Sequence, residues 1–227
     1  MPSDTMPNIG GVIFDLDGVI VDTAQFHYTA WKTLAKQWNY ELKINDNEQL
    51  KGVSRKDSVA KIAAWAGVQQ TTAELHDVAT RKNKLYLELC AKLTPNDILP
   101  GIANLIEELK ENHIKVALGS ASKNARFVIE KLGLESTFDV IVDGNDVSHS
   151  KPNPEVFIKA AAQMKLSQQN CVVIEDAPAG IQAAISAQML AVGLGDVAEL
   201  HQADLVLPNA IDLTLSKLKQ LYQQIVI

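Results

Sequence analysis

From residue 98 onward, short apolar runs alternate with amphipathic stretches, and this alternation restricts the fold more than any other feature of the chain. Residues 115–120, 139–143, 171–176 and 190–193 each have the composition of a short buried strand. Between them, Gly101 precedes a helical stripe of Ile102, Leu105, Ile106 and Leu109, and a second helix is expected over about 124–132. A third is opened by Asn153 as cap and Pro154 as first residue, and a fourth runs over 178–188. Alternation of this kind specifies an α/β protein with a doubly wound, Rossmann-like parallel sheet and helices on both faces. Ligands of such sheets bind beyond the carboxyl ends of the strands.

An earlier strand belongs to the same sheet. Val12, Ile13 and Phe14 form an apolar run that stops at Asp15, so chemistry sits at its carboxyl end. Side chains of a strand alternate faces, so Asp15 and Asp17 point the same way and Leu16 turns into the core. Two carboxylates in one small space resist joint ionisation, which makes the pair either a cation site or an acid/base pair. Gly18 lets the backbone turn sharply just after them.

Residues 24 to about 95 have a different pattern, all helical. His27, Trp31, Leu34 and Trp38 recur at helical spacing; Val59, Ile62, Ala63 and Ala66 make a second stripe that Gly67 ends. Thr71 with Glu74 forms a capping box for a third helix, whose inner face is expected to carry Leu75, Val78, Lys82, Leu85 and Leu89. This segment is a second unit inserted into the first, with residues 94–97 as the returning linker. The organisation expected is a core of residues 1–22 plus 96–227 and an all-helical cap of residues 23–95.

At 227 residues with 47% hydrophobic content, the chain has enough apolar surface for a real core. A net charge of −6 without a long basic run argues against nucleic acid or an anionic membrane as partner. No apolar stretch approaches a membrane span, and the first eight residues lack the pattern of a signal peptide. Cys90 and Cys171 have no ligand spacing around them, so each is expected as a buried free thiol in a reducing cytoplasm. No heptad run marks an oligomer, and a monomer is expected.

Polar residues stand at the other strand ends. Taken singly, Ser120 and Ser122 are helix-capping serines, Lys151 before Pro152 is a solvated loop lysine, and Glu175 and Asp176 serve a helix amino end. Taken with Asp15 and Asp17, they place acids, a hydroxyl, a lysine and further acids at four successive strand ends. The run Asp15-Leu16-Asp17-Gly18-Val19-Ile20-Val21-Asp22-Thr23 after an apolar strand resembles the first motif of the haloacid dehalogenase superfamily of phosphoryl-transfer enzymes. The full set resembles that superfamily's four motifs, in order.

The resemblance implies specific roles. Asp15 is the nucleophile and Asp17 the general acid/base. Ser120 and Lys151 meet the transferring phosphoryl group. Magnesium is held by Asp15, by the carbonyl of Asp17 and by Asp176, with Glu175 acting through water. A hard cation with oxygen ligands is what carboxylate attack on an anionic phosphoryl group requires. Ala177-Pro178 departs from family members that carry a polar residue after the acids, which puts a hydroxyl contact in doubt but not the metal site.

In the helical insertion, the stretch 49–58, the run Arg81-Lys82-Asn83, and His27 with Trp31 resemble the β-phosphoglucomutase family of that superfamily, as do residues 120–124 and Lys151-Pro152 in the core. That likeness implies a substrate-binding set of His27, Trp31, Gly52, Arg55, Ser58, Lys82, Ser122 and Asn124. In it, Arg55 grips the phosphate that is not being transferred, and His27 couples cap closure to Asp17. On general grounds Arg55 is a surface arginine, His27 a packed histidine, and Lys82 a lysine snorkelling from an apolar face. The activity implied is interconversion of β-glucose 1-phosphate and β-glucose 6-phosphate through β-glucose 1,6-bisphosphate. A sugar-phosphate phosphatase of the same fold is the alternative, and a non-catalytic sugar-phosphate-binding regulator a third reading.

Overall fold

The computed structural model describes residues 8–50 and 53–226. Six strands, β1 (Gly11–Phe14), β2 (Lys115–Gly119), β3 (Val140–Val142), β4 (Cys171–Glu175), β5 (Leu190–Leu194) and β6 (Leu205–Leu207), form one sheet in the order β3-β2-β1-β4-β5-β6. Every pairing is parallel, and Gly11 lies opposite Lys115 on one side and Cys171 on the other. The chain steps outward from β1 to β3 and then returns to the far side of β1 at β4. Asp15 therefore emerges at the point where the strand order reverses, the place where open sheets of this class bind ligands.

Period-two alternation sorts the strand residues onto two apolar layers. Val12, Phe14, Val116, Leu118, Val172 and Ile174 join one cluster, which the helices α5 (Ile102–Glu111), α6 (Ala125–Lys131) and α10 (Leu215–Val226) cover. Ile13, Ala117, Val173 and Ala191 join the other, under α7 (Glu155–Met164) and α8 (Pro178–Ser186). Burial on both faces explains why these strands are continuous apolar runs. The small α9 (Val197–Leu200), β6 and α10 are additions to the elements expected from sequence; β6 is three residues long and only partly buried, so its pattern is weak. Asn153 is one residue outside its expected place: Pro154 holds the N-cap position of α7, while Asn153 Oδ1 accepts from Glu155 N at 3.0 Å.

Helices α1 (Ala24–Ala35), α2 (Ile44–Glu48), α3 (Arg55–Trp65) and α4 (Thr72–Cys90) make the helical cap, with its own apolar cluster around Trp31, Leu34, Leu42, Val59, Ile62 and Val78. The Thr71–Glu74 capping box forms as expected. The buried face of α4 is Val78, Ala79, Lys82, Tyr86 and Cys90, so Leu75, Leu85 and Leu89 are only partly buried. The later half of α4 packs against the core rather than within the cap, and this rotates the buried stripe toward Tyr86 and Cys90. The chain enters and leaves the cap side by side: Val21 bridges Ile98, and Leu99 N donates to Ile20 O at 2.8 Å. Cys90 and Cys171 are both buried free thiols, and no helix among the described residues is long and apolar enough to cross a membrane.

Candidate active site

Asp15 follows the last residue of the central strand, and its backbone N–H donates to Ile174 O at 2.9 Å. The strand geometry thus persists one residue further and aims a buried carboxylate at the space between β1 and β4. Lys151 reaches the same space from the loop after β3. Its Nζ donates to Asp15 Oδ1 at 2.5 Å and to Glu175 Oε1 at 2.6 Å, and it sits 4.7 Å from the centre of the Phe157 ring. Burial works against the ammonium, but the charges of Asp15 and Glu175 more than offset it and hold Lys151 above the ordinary lysine range. Burial pushes the Asp15 carboxyl well above its usual value; Lys151 pulls it back, and the neighbouring acids push it further up.

Glu175 fills two roles at once. Its Oε2 accepts from the backbone N–H groups of Asp176 and Ala177, each at 2.9 Å, and so serves the amino end of α8. Its Oε1 remains for Lys151. Asp15, Glu175 and Asp176 present carboxylate oxygens within 4.8 Å of one another. Two glycines make room: a Cβ at Gly18, which has φ +83°, would run into the Asp176 carboxylate, and one at Gly180 into that of Glu175. Three clustered hard oxygen donors in a cradle that no side chain can fill suit a divalent cation such as Mg²⁺.

Asp17 is held apart from that cluster. Thr23 Oγ1 donates a short hydrogen bond to Asp17 Oδ1. Burial raises the Asp17 pKa, with the Thr23 bond and the charge of Lys82 working in the opposite direction. Across the strand ends, Ser120 is buried and its Oγ accepts from Ser122 N at 3.1 Å, which leaves its O–H to donate into the cleft. Ser122 Oγ accepts from Asn124 N at 3.2 Å in the same way. This loop is tied to the one that carries Lys151 by Gly144 N to Ser122 O at 3.1 Å and Asn145 Nδ2 to Lys123 O at 3.0 Å.

The opposite wall comes from the cap. Lys82 is 2% exposed on α4; its Nζ lies 2.6 Å from His27 Nδ1 and 4.9 and 4.7 Å from the ring centres of Trp31 and Tyr86. Burial, helped by the nearby charge of Arg55, lowers the Lys82 pKa to about 7. Burial and the charges of Lys82 and Arg55 push His27 well below the ordinary imidazole range, so its Nδ1 accepts from Lys82. Arg55 opens α3 directly after the N-cap Ser54, whose side chain accepts from Asp57 N. It faces a cleft of about 1270 Å³ whose floor is Asp15, Asp17 and Asp176.

Of the substrate-binding residues expected from sequence, His27, Trp31, Arg55, Ser58, Lys82, Ser122 and Asn124 all line this one cleft. Ser58 is buried on the inner face of α3. Gly52 lies outside the described residues. Tyr86 and Gly180 went unrecognised in the sequence. Tyr86 stands four residues after Lys82, on the same helical face, and its ring lies 4.2 Å from that of His27. Gly180 offers no signal, because its need for a missing side chain is set by Glu175 across a turn.

The chain resembles known proteins in sequence and in fold. The haloacid dehalogenase-like hydrolase family matches residues 12–194. The chain is 44% identical over 215 residues to the β-phosphoglucomutase of Bacillus subtilis, covering 94% of this chain and 95% of that protein. It is 33% identical over 186 residues to a fructose-1-phosphate phosphatase of Escherichia coli, covering 80% and 94% respectively. The crystal structure of a β-phosphoglucomutase from Clostridium difficile superposes with a TM-score of 0.92 at 40% identity, covering 96% of this chain and 99% of that one.

Proposed function

The chain belongs to the haloacid dehalogenase-like hydrolase family, and on that premise we propose that it is a β-phosphoglucomutase, with residues 23–95 as the cap that selects the acceptor. The observation that carries this reading is one cleft with two unlike walls. The acids and Lys151 line the core side, and Arg55 and Lys82 line the cap side. A phosphatase needs only the first wall. A mutase must hold a bisphosphate by its second phosphate while the first is transferred, and paired cations opposite the nucleophile supply that hold. The likeness to β-phosphoglucomutases runs through cap as well as core.

In this reading phosphorylated Asp15 gives its phosphoryl group to the 6-hydroxyl of β-glucose 1-phosphate, and Asp17 takes the hydroxyl proton. The bisphosphate turns over within the cleft. Asp15 then attacks the phosphorus at C1, the bond to O1 breaks, and Asp17 returns its proton to O1 as glucose 6-phosphate leaves. Thr23 fixes the Asp17 carboxylate in place, and burial keeps its proton affinity high enough for both half-reactions. Lys151 and the Ser120 hydroxyl meet the oxygens of the group in flight. Asp15, the Asp17 carbonyl and Asp176 would hold magnesium, with Glu175 beside it. When bound, the ion supplies the charge neutralisation that lets a carboxylate approach an anionic phosphoryl group. We read the protein as monomeric, since one chain carries the full set of groups, and as cytoplasmic, since its two cysteines are free thiols.

The test is the product ratio from β-glucose 1-phosphate with magnesium and a bisphosphate primer. Glucose 6-phosphate should exceed released inorganic phosphate by at least ~10²-fold. Inorganic phosphate as main product returns the phosphatase, and neither product returns the regulator.

A further inference from the structure

Asn83 stands on α4 next to Lys82, behind the cleft wall, and its Oδ1 accepts a 2.7 Å hydrogen bond from Asn124 Nδ2 of the core. Asn124 occupies the N-cap position of α6. An asparagine there ordinarily accepts from a backbone N–H of the first helical turn. Asn124 makes no such bond. Its backbone N–H donates to Ser122 Oγ at 3.2 Å, and its side chain reaches the helix of the other unit instead of the helix it would cap. A primary amide carries two N–H donors and a carbonyl. Asn83 takes one donor, and the rest of the amide belongs to a side chain that lines the cleft beside Ser122, with Arg55 on the facing wall.

We propose that Asn83 is a positioning residue: its carbonyl holds the Asn124 amide so that the second N–H faces the sugar phosphate in the cleft. The inference deepens the mutase reading and rests on it. Substrate contact and the cap–core bond then share one amide, and linkage makes each favour the other. Asn83 touches no substrate atom. Its loss weakens sugar-phosphate binding only through Asn124, and this separates it from a residue that merely supports α4.

The test is a double-mutant cycle of Asn83→Ala and Asn124→Ala, read by calorimetric titration with glucose 6-phosphate and by bisphosphate-primed turnover on the same samples. Asn83→Ala should weaken binding by about 5-fold or more and raise KM in proportion, with kcat within about 2-fold of the parent. The double variant should bind no worse than Asn124→Ala alone. Additive losses, or unchanged affinity in Asn83→Ala, overturn the proposal. Should Asn83→Ala not fold, Asn83→Ser, which is too short to reach Asn124, takes its place in the cycle. A parent that binds glucose 6-phosphate without turning over refutes the mutase reading and leaves Asn83 to be judged by the binding cycle. A parent that binds no glucose 6-phosphate overturns both.

Discussion

Lys151 of the core and Lys82 of the cap are both buried lysines on one cleft, 6% and 2% exposed, and their surroundings differ in kind. Lys151 is clamped between two carboxylates and held charged. Lys82 touches a neutral imidazole and two aromatic rings instead of a carboxylate; burial and the charge of Arg55 disfavour its proton, and the more distant charge of Asp17 offsets them only in part. A buried ammonium with carboxylate partners is electrostatically complete, whereas one against rings and another cation calls for an anion. The core therefore ties its lysine to the acids around the nucleophile, while the lysine of the cap wall has no carboxylate in contact among the described residues and is left to face what binds. This contrast assigns the transfer step to the core and the choice of acceptor to the cap.

The sharpest break of the core's half is Asp15→Asn, which keeps the shape and removes the attacking anion. Turnover should fall by at least ~10⁴-fold, about 5.5 kcal/mol, with the thermal unfolding curve of a folded protein. Retention of activity within a few-fold would end the covalent mechanism. Asp176→Ala should come next, at about 10³-fold, with excess magnesium restoring only part of the rate. A magnesium titration identical to the parent's would move the ion away from Asp176.

The smallest expected effect tests the cap's half through stability. The Lys82 pKa falls from 10.5 to about 7 on folding. Below that value both folded and unfolded chains carry the proton, so the cost of burying the charge is fully present. As pH rises from about 7 toward 10.5 the folded chain gives up its proton first, and the cost is relieved. Lys82→Met should therefore be more stable than the parent at pH 6, by at least ~1 kcal/mol in urea unfolding, and the gap should narrow by pH 9.5. A gap that widens with pH would mean Lys82 is held by an anion in the free protein.

The sheet and the core site were legible because each strand is a short apolar run that stops at the residue it delivers, as at Phe14–Asp15 and Ile174–Glu175. The cap was legible as helices but less so as a wall. The inner face of α4 depends on the sheet core it meets, so the stripe through Leu75, Leu85 and Leu89 gives way to one through Lys82, Tyr86 and Cys90. Gly180 was hidden for a related reason, and Asn83 was legible only as part of the run Arg81-Lys82-Asn83: their partners, Glu175 and Asn124, are brought to them by tertiary structure. Lys82 was visible as a charge on an apolar face, yet only the fold shows that it ends at His27 rather than in solvent.

The division of labour is tested most directly by following one phosphoryl group. Phosphorylated Asp15 is prepared in the parent and in Arg55→Ala, then mixed either with buffer or with β-glucose 1-phosphate, and its decay to inorganic phosphate and to sugar bisphosphate is timed. Arg55→Ala should slow transfer to sugar by at least ~10²-fold, about 2.7 kcal/mol, while decay in buffer stays within a few-fold of the parent. Equal slowing of both decays, or of neither, would contradict the assignment of acceptor choice to the cap.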